Sequence, residues 1–313
     1  MSSESSALYV IGGVTAAGKT ELALAWAEKH GAEILSCDSV SFYKGLDIGS
    51  AKPDLKQRNR VPHHGIDIFE LSEICDVGRF SSYAKEVVDS IARKGKPVLV
   101  VGGSGFYIQS FFKSVVDDIE VSPEIRHEVQ AFYEKNGLHA LVDQLKEINP
   151  SGLNGLDYLN PRRVTRALER CMASGKSLVQ LKAEFEAKPK PFPNFTKKVL
   201  WLDRGNSELE QRIEKRTRQM VEGGLLEETS NLLAAGLVAN APASNSVGYR
   251  EALACLKGDI SQGDMEAQII SATRKLVSKQ RKWFRKYLPS GSRFLLDEGH
   301  SIQPDHLIWH AGS

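Results

Sequence analysis

Four short apolar runs punctuate the chain: Leu8–Ile11, Ala32–Ser36, Pro97–Val101 and Val199–Leu202. Turn-forming residues bound each of them, and their β-branched content suits strands buried on both faces. Between the runs the period lengthens. Within Gly18–His30, Leu22, Ala23, Trp26 and Ala27 recur at helical spacing, and Gly31 follows as a C-terminal stop. A second helix is expected over Val77–Lys94, leading through Gly95 into the third run. This alternation of strand and helix predicts an α/β fold with a parallel sheet flanked by helices.

From about Val116 to Lys198 the alternation stops. Amphipathic helical patterns start near Ser122-Pro123, Leu138 and Asn160-Pro161, and the stretch leaves through the Pro-rich Lys188-Pro189-Lys190-Pro191-Phe192-Pro193. The expected organisation is a core built from residues 1–115 and 199–313, interrupted by a helical insertion domain at 116–198. Beyond it, Ser207-Glu208-Leu209-Glu210 reads as a capping box opening a helix to about Glu222. Arg293–Leu296 is a late strand candidate.

The length of 313 residues fits a large domain with a smaller satellite. A net charge of +2 excludes a strongly basic chain, so charge has to be read by segment. Cys37, Cys75, Cys171 and Cys255 are widely spaced and suggest neither a zinc site nor a disulfide framework. Met1-Ser2-Ser3-Glu4-Ser5-Ser6 has no secretory pattern and no stretch approaches the length of a membrane span. A cytoplasmic protein without membrane contact is expected.

Directly behind the first run, Gly13-Val14-Thr15-Ala16-Ala17-Gly18-Lys19-Thr20 matches G-x-x-x-x-G-K-[ST]. The glycines let successive N–H groups converge on one anion, the following helix adds the positive end of its dipole, and Lys19 supplies a point charge. The Thr20 hydroxyl can sit on Mg²⁺. The expected core is therefore a P-loop NTPase-like sheet. The second run delivers Asp38 and Ser39 to the same sheet edge, where a carboxylate can act as metal ligand, general base or simple turn cap. A second glycine turn, Gly102-Gly103-Ser104-Gly105-Phe106-Tyr107, reaches that edge from the third run and places Ser104 near the phosphates. The adjacent His63 and His64 lack the spacing of a helical zinc site, so a structural role is expected.

Basic residues are grouped. Arg162, Arg166 and Arg170 share a helical face beside Arg163, and Arg212 and Arg216 are one turn apart. Arg274-Lys275 and Lys279-Gln280-Arg281-Lys282-Trp283-Phe284-Arg285-Lys286 contain no acid. One such run usually marks a solvated face; three, one of them interleaved with aromatics, point to a polyanion, with RNA the leading candidate.

Taken in order, the phosphate loop, Asp38-Ser39, Tyr43-Lys44-Gly45-Leu46-Asp47-Ile48-Gly49-Ser50-Ala51-Lys52-Pro53, Pro62-His63-His64, Gly102 to Tyr107, Asn160-Pro161-Arg162-Arg163 and Val247-Gly248-Tyr249-Arg250 resemble the tRNA dimethylallyltransferases, or tRNA isopentenyltransferases, of bacterial type. The resemblance runs from about residue 7 to 288. It implies transfer of a dimethylallyl group from dimethylallyl diphosphate to the exocyclic 6-amino group of the adenosine 3′ of the anticodon. It also implies Mg²⁺ at Thr20 and Asp38, diphosphate or nucleotide binding by Gly13 to Thr20, Asp38 as general base, and Thr15, Arg216 and Ser104 near the reacting groups. The implied tRNA contacts are Asp38, Ser39, Val40, Ser41, Arg126, Arg162, Arg163, Arg166, Gly248, Tyr249, Arg250, Lys279, Gln280, Arg281 and Arg285. The partners would be a tRNA anticodon stem-loop and the prenyl diphosphate, bound by a monomer. Departures include Val14 for a usual proline, Ala17 for a usual serine, Ser104 for threonine and Ser41 for glutamine. The competing readings are an adenylate isopentenyltransferase using free AMP, ADP or ATP, a nucleotide kinase, and a non-enzymatic RNA-binding protein.

Overall fold

The computed structural model describes residues 6–296 and 304–312; Met1–Ser5, most of the segment read above for a secretory pattern, lie outside them. Strands β1 (Ser6–Gly13), β2 (Glu33–Ser36), β3 (His63–His64), β4 (Val98–Gly102), β5 (Phe195–Arg204), β6 (Arg293–Leu296) and β7 (His310–Ala311) form one sheet. Its order is β3-β2-β4-β1-β5-β6, all parallel, with β7 pairing antiparallel to β5. The two-residue strands β3 and β7 are too short to leave a periodic signature.

Before the insertion run helices α1 (Lys19–His30), α2 (Leu55–Arg60), α3 (Val77–Arg93) and α4 (Gly105–Gln109). The insertion carries α5 (Pro123–Ile148), α6 (Pro161–Ser174) and α7 (Leu178–Glu186). After β5 come α8 (Asn206–Glu222), α9 (Leu225–Ala234), α10 (Ala241–Ser244), α11 (Tyr249–Leu256) and α12 (Gln262–Tyr287).

Alternate strand residues feed opposite faces. Leu8, Val10, Val98, Val100, Val199 and Trp201 pack with Phe80, Val88 and Ile91 of α3 and Phe284 of α12. Ile11, Leu99, Leu200 and Leu202 pack on the other side with Leu22, Trp26 and Ala27 of α1 and Ile213 of α8. Coverage of both faces is why the strands read as unbroken apolar runs. Each fully buried side chain of this kind contributes about 1.5–3 kcal/mol.

Residues 116–190 form a second compact unit with its own core of Val129, Leu141, Leu145, Val164 and Leu168. Within α5, Gly137 adopts φ 79° and divides the helix where a new start at Leu138 is expected. Two expectations need correction. The return to the core falls at residue 191 rather than 199, because β5 starts early, its Phe195 in register with Ser6. The capping box at Ser207 does not form: α8 starts at Asn206 behind Gly205, and Glu210 is drawn instead to Arg274 of α12 at 2.5 Å.

Candidate active site

The phosphate loop spans the gap between β1 and α1. Gly18 caps α1 at φ 94°, a conformation that a side chain would strain. Ala16 takes φ 65° without that freedom, at about 1–2 kcal/mol. The loop is fastened from behind: Arg204 Nε donates to Ala17 O at 3.0 Å and Arg212 Nε to Ala16 O at 2.7 Å. Val14 N donates to Leu202 O at 3.2 Å. The N–H groups of Ala16, Gly18, Lys19 and Thr20 have no partner among the described residues, the donor set of an anion cradle. Lys19 Nζ folds onto Gly13 O at 3.0 Å and Val14 O at 2.9 Å. Burial lowers its pKa to about 8; the charge of Arg216 pushes the same way, and Asp38 opposes both. Burial likewise lowers Arg216, again against the pull of Asp38.

Asp38 stands just beyond β2, its Oδ1 accepting from Val40 N at 3.1 Å. Ser104 Oγ accepts from Ser39 N at 3.4 Å, which ties the second glycine turn to the Asp38 loop. The two loops touch so closely that a Cβ on Gly102 would lie 2.0 Å from Cys37 O. Two cavities meet here. One, of about 570 Å³, is polar and lined by the phosphate loop, Arg212 and Lys215. The other, of about 600 Å³, has an apolar and aromatic wall of Val40, Met220, Val247, Ile269, Trp283 and Phe284, with Asn245, Arg250, Lys275 and Lys279 also lining it. Thr15, Asp38, Ser50, Gly103 and Arg216 border both, so the cationic and apolar halves share one waist.

The loop from Tyr43 to Pro53 frames that waist and is pinned twice. Lys52, its side chain 1% exposed, donates to Tyr43 O at 2.6 Å, Asp67 Oδ1 at 2.6 Å and Asp47 Oδ1 at 3.0 Å. Glu228 of α9 accepts from the N–H groups of Asp47 at 3.1 Å, Ile48 at 2.7 Å and Gly49 at 3.1 Å. The same carboxylate accepts from the Tyr249 hydroxyl at 2.6 Å. A Cβ on Gly49 would sit 2.4 Å from the Tyr249 ring, so glycine is required there by contact. Nothing in sequence spacing points to Glu228, 179 residues from Gly49.

Several residues expected at an RNA surface lie elsewhere. Tyr249 is fully buried, and burial together with Glu228 pushes its phenol pKa well up. Ser41 is buried against Ser36 Oγ at 3.0 Å and Asp38 O at 2.9 Å. Gln280 is buried between the two glycine loops. Arg281 pairs at 2.8 Å with Asp203, whose side chain is wholly buried, and also reaches Arg204 O and Asn206. Gly248 is buried at the start of α11, whereas Arg250 is exposed beside Glu251. Ser39 and Val40 line the apolar cavity. Lys279 and Arg285 are exposed and have no carboxylate partner among the described residues. In the second unit, Arg126, Arg162, Arg163 and Arg166 are exposed, the last two 3.4 Å from Asp157 and Glu169.

Thr20 and Asp38 border a common cavity, while the described residues hold no group of three His, Cys, Asp or Glu able to grip a metal. A hydroxyl and a carboxylate beside an anion cradle suit Mg²⁺, which takes few protein ligands and completes its shell with phosphate oxygens and water. His63 and His64, expected to be structural, each have a local partner, and His63 also borders the cavity that Thr20 and Asp38 share. His63 Nδ1 lies 2.7 Å from Val61 O, and His64 Nε2 lies 2.8 Å from Glu33. No helix among the described residues is long and apolar enough to cross a membrane.

Residues 41–287 match the family IPP transferase. The tRNA dimethylallyltransferase of Opitutus terrae is 46% identical over 93% of this chain and 94% of its own length. That of Bdellovibrio bacteriovorus is 37% identical over 89% of this chain and 90% of its own. Among solved structures, the tRNA isopentenylpyrophosphate transferase of Bacillus halodurans aligns with TM-score 0.66 and 30% identity over 93% of this chain and 89% of its own. A eukaryotic dimethylallyltransferase acting on tRNA aligns with TM-score 0.79 and 26% identity, over 94% of this chain and 74% of its own.

Proposed function

The chain belongs to the IPP transferase family, and from that premise we propose that its two-ended channel carries out dimethylallyl transfer to tRNA from dimethylallyl diphosphate. The acceptor in this reading is the exocyclic 6-amino group of the adenosine 3′ of the anticodon. The observation that carries it is the shared waist: a cationic cradle on one side, an apolar and aromatic space on the other, and Asp38 bordering both.

The diphosphate lies against the free N–H groups of the loop, with Lys19 and Arg216 facing it. The dimethylallyl carbon is then presented at the waist, and the base, turned out of its stack, enters from the apolar side. The amine nitrogen forms the new N–C bond as the allylic C–O bond breaks. Both electrons of that bond leave with the diphosphate, and the proton released from nitrogen passes to the Asp38 carboxylate. Lys19, Arg216 and the loop N–H groups stabilise the charge gathering on the leaving group. Thr20 and Asp38 would hold Mg²⁺, which supplies further positive charge to the diphosphate.

The test offers labelled dimethylallyl diphosphate and Mg²⁺ with either an anticodon stem-loop or AMP. Label is expected in the stem-loop alone, and about 10²- to 10⁴-fold more slowly with Asp38→Ala. Label confined to AMP, or in neither, overturns the reading.

A further inference from the structure

Gln280 sits in the middle of the basic run of α12, yet its side chain turns inward. Its Oε1 accepts from Thr15 N at 2.9 Å and its Nε2 donates to Gly103 O at 3.1 Å. Both partners are backbone groups of fixed polarity, an N–H that can only donate and a C=O that can only accept, so the amide has one orientation here. The residue is 9% exposed and borders the cavity at the waist. A Cβ on Gly103 would lie 2.7 Å from Gln280 Nε2 and 3.6 Å from Lys19 Nζ, so the three groups meet in one place. One amide thus joins the phosphate loop to the turn that presents Ser104.

We propose that Gln280 is a positioning residue for the diphosphate cradle, and not a contact to RNA. By taking the Thr15 N–H it leaves the loop's free N–H groups, those of Ala16, Gly18, Lys19 and Thr20, turned toward the anion. By donating to Gly103 it fixes the distance between that loop and Ser104. The residue type is specific: an amide alone among side chains of this length offers one acceptor and one donor without charge. This rests on the reading that the cradle takes a diphosphate.

The experiment measures inorganic pyrophosphate affinity, stem-loop affinity with its salt dependence, and the KM for the prenyl diphosphate, all on the full chain. Gln280→Met keeps length but neither hydrogen bond; pyrophosphate Kd and prenyl-diphosphate KM should rise about 10- to 100-fold, with stem-loop Kd and salt slope unchanged. Gln280→Glu keeps shape and acceptor but loses the donor and sets a negative charge beside the cradle, so it should bind pyrophosphate more weakly than Gln280→Met. In the unmodified protein, the Thr15 amide should exchange with solvent more slowly than those of Ala16 and Lys19. Variants that bind pyrophosphate as the parent does, a loss confined to stem-loop binding, or an unprotected Thr15 amide would each overturn the proposal. Failure of the transfer reading shows separately, as parent enzyme that labels no stem-loop.

Discussion

Lys19 is where the chemistry of a single side chain becomes measurable. Its pKa is lowered to about 8 by burial and by Arg216, against the pull of Asp38, so it carries a full charge below that pH and loses it above. A bound diphosphate favours the charged form and raises the pKa within the complex. The free enzyme should therefore lose affinity for the prenyl diphosphate as pH rises through about 8, approaching tenfold per unit beyond it, while the bound complex does not. The alkaline limb is expected in kcat/KM for the prenyl diphosphate and not in kcat over the same interval. Lys19→Arg, whose guanidinium keeps its charge, should remove the limb even if it lowers the rate. An alkaline limb near 8 that survives Lys19→Arg assigns the titration to another group.

At the scale of elements, the informative feature is the fastening of the Tyr43–Pro53 loop to α9 and α11. Four donors converge on Glu228, which neutralises none of them but satisfies all, and Tyr249 closes the arrangement over Gly49. Glu228→Gln puts an amide that can accept at one atom only where three N–H groups and a hydroxyl now point, leaving part-buried donors unmet at about 1 kcal/mol. Ser50 O, the acceptor of Arg216, is one residue from this clasp. The expected result is a fall in kcat/KM of about 10- to 100-fold with little change in stem-loop affinity; Tyr249→Phe, which removes one donor, should cost less. Equal activity in Glu228→Gln would show that the loop holds its place without the clasp. This is also where sequence reading meets its limit. The longer strands, the break at Gly137 and the phosphate loop are legible because periodicity and local glycine chemistry encode them. The Gly-Tyr-Arg segment is visible as a resemblance, but burial of its tyrosine depends on a carboxylate from another helix, which no local pattern reveals. The same holds for Ser207, whose capping box loses Glu210 to Arg274.

Over the whole chain the net charge is only +2, so any attraction for RNA must come from where the cations stand and which are free. The run on α12 divides in two. Arg281 is committed to the buried Asp203, which it shares with Arg293 at 2.7 Å, and Arg274 to Glu210 and Glu214. Lys275, Lys279, Lys282 and Arg285 are exposed with no carboxylate partner among the described residues, and Lys275 and Lys279 border the apolar cavity. The sequence shows seven cations between Arg274 and Lys286 of similar meaning; only the fold separates those that hold the sheet from those that face solvent. Opposite consequences follow for the two sets. Arg281→Ala leaves the buried Asp203 with only Arg293 and the Arg204 N–H and should cost about 2–4 kcal/mol of stability, read as a lowered urea midpoint, with the salt slope of stem-loop binding unaltered. Replacing Lys279, Lys282 and Arg285 together by alanine should leave stability within about 1 kcal/mol and flatten the salt slope by about 2–3, the value for three lost phosphate contacts. If the triple variant kept the parent's slope, α12 would be a solvated face; if Arg281→Ala lowered the slope without lowering stability, the Asp203 pair would be dispensable and Arg281 free to meet RNA.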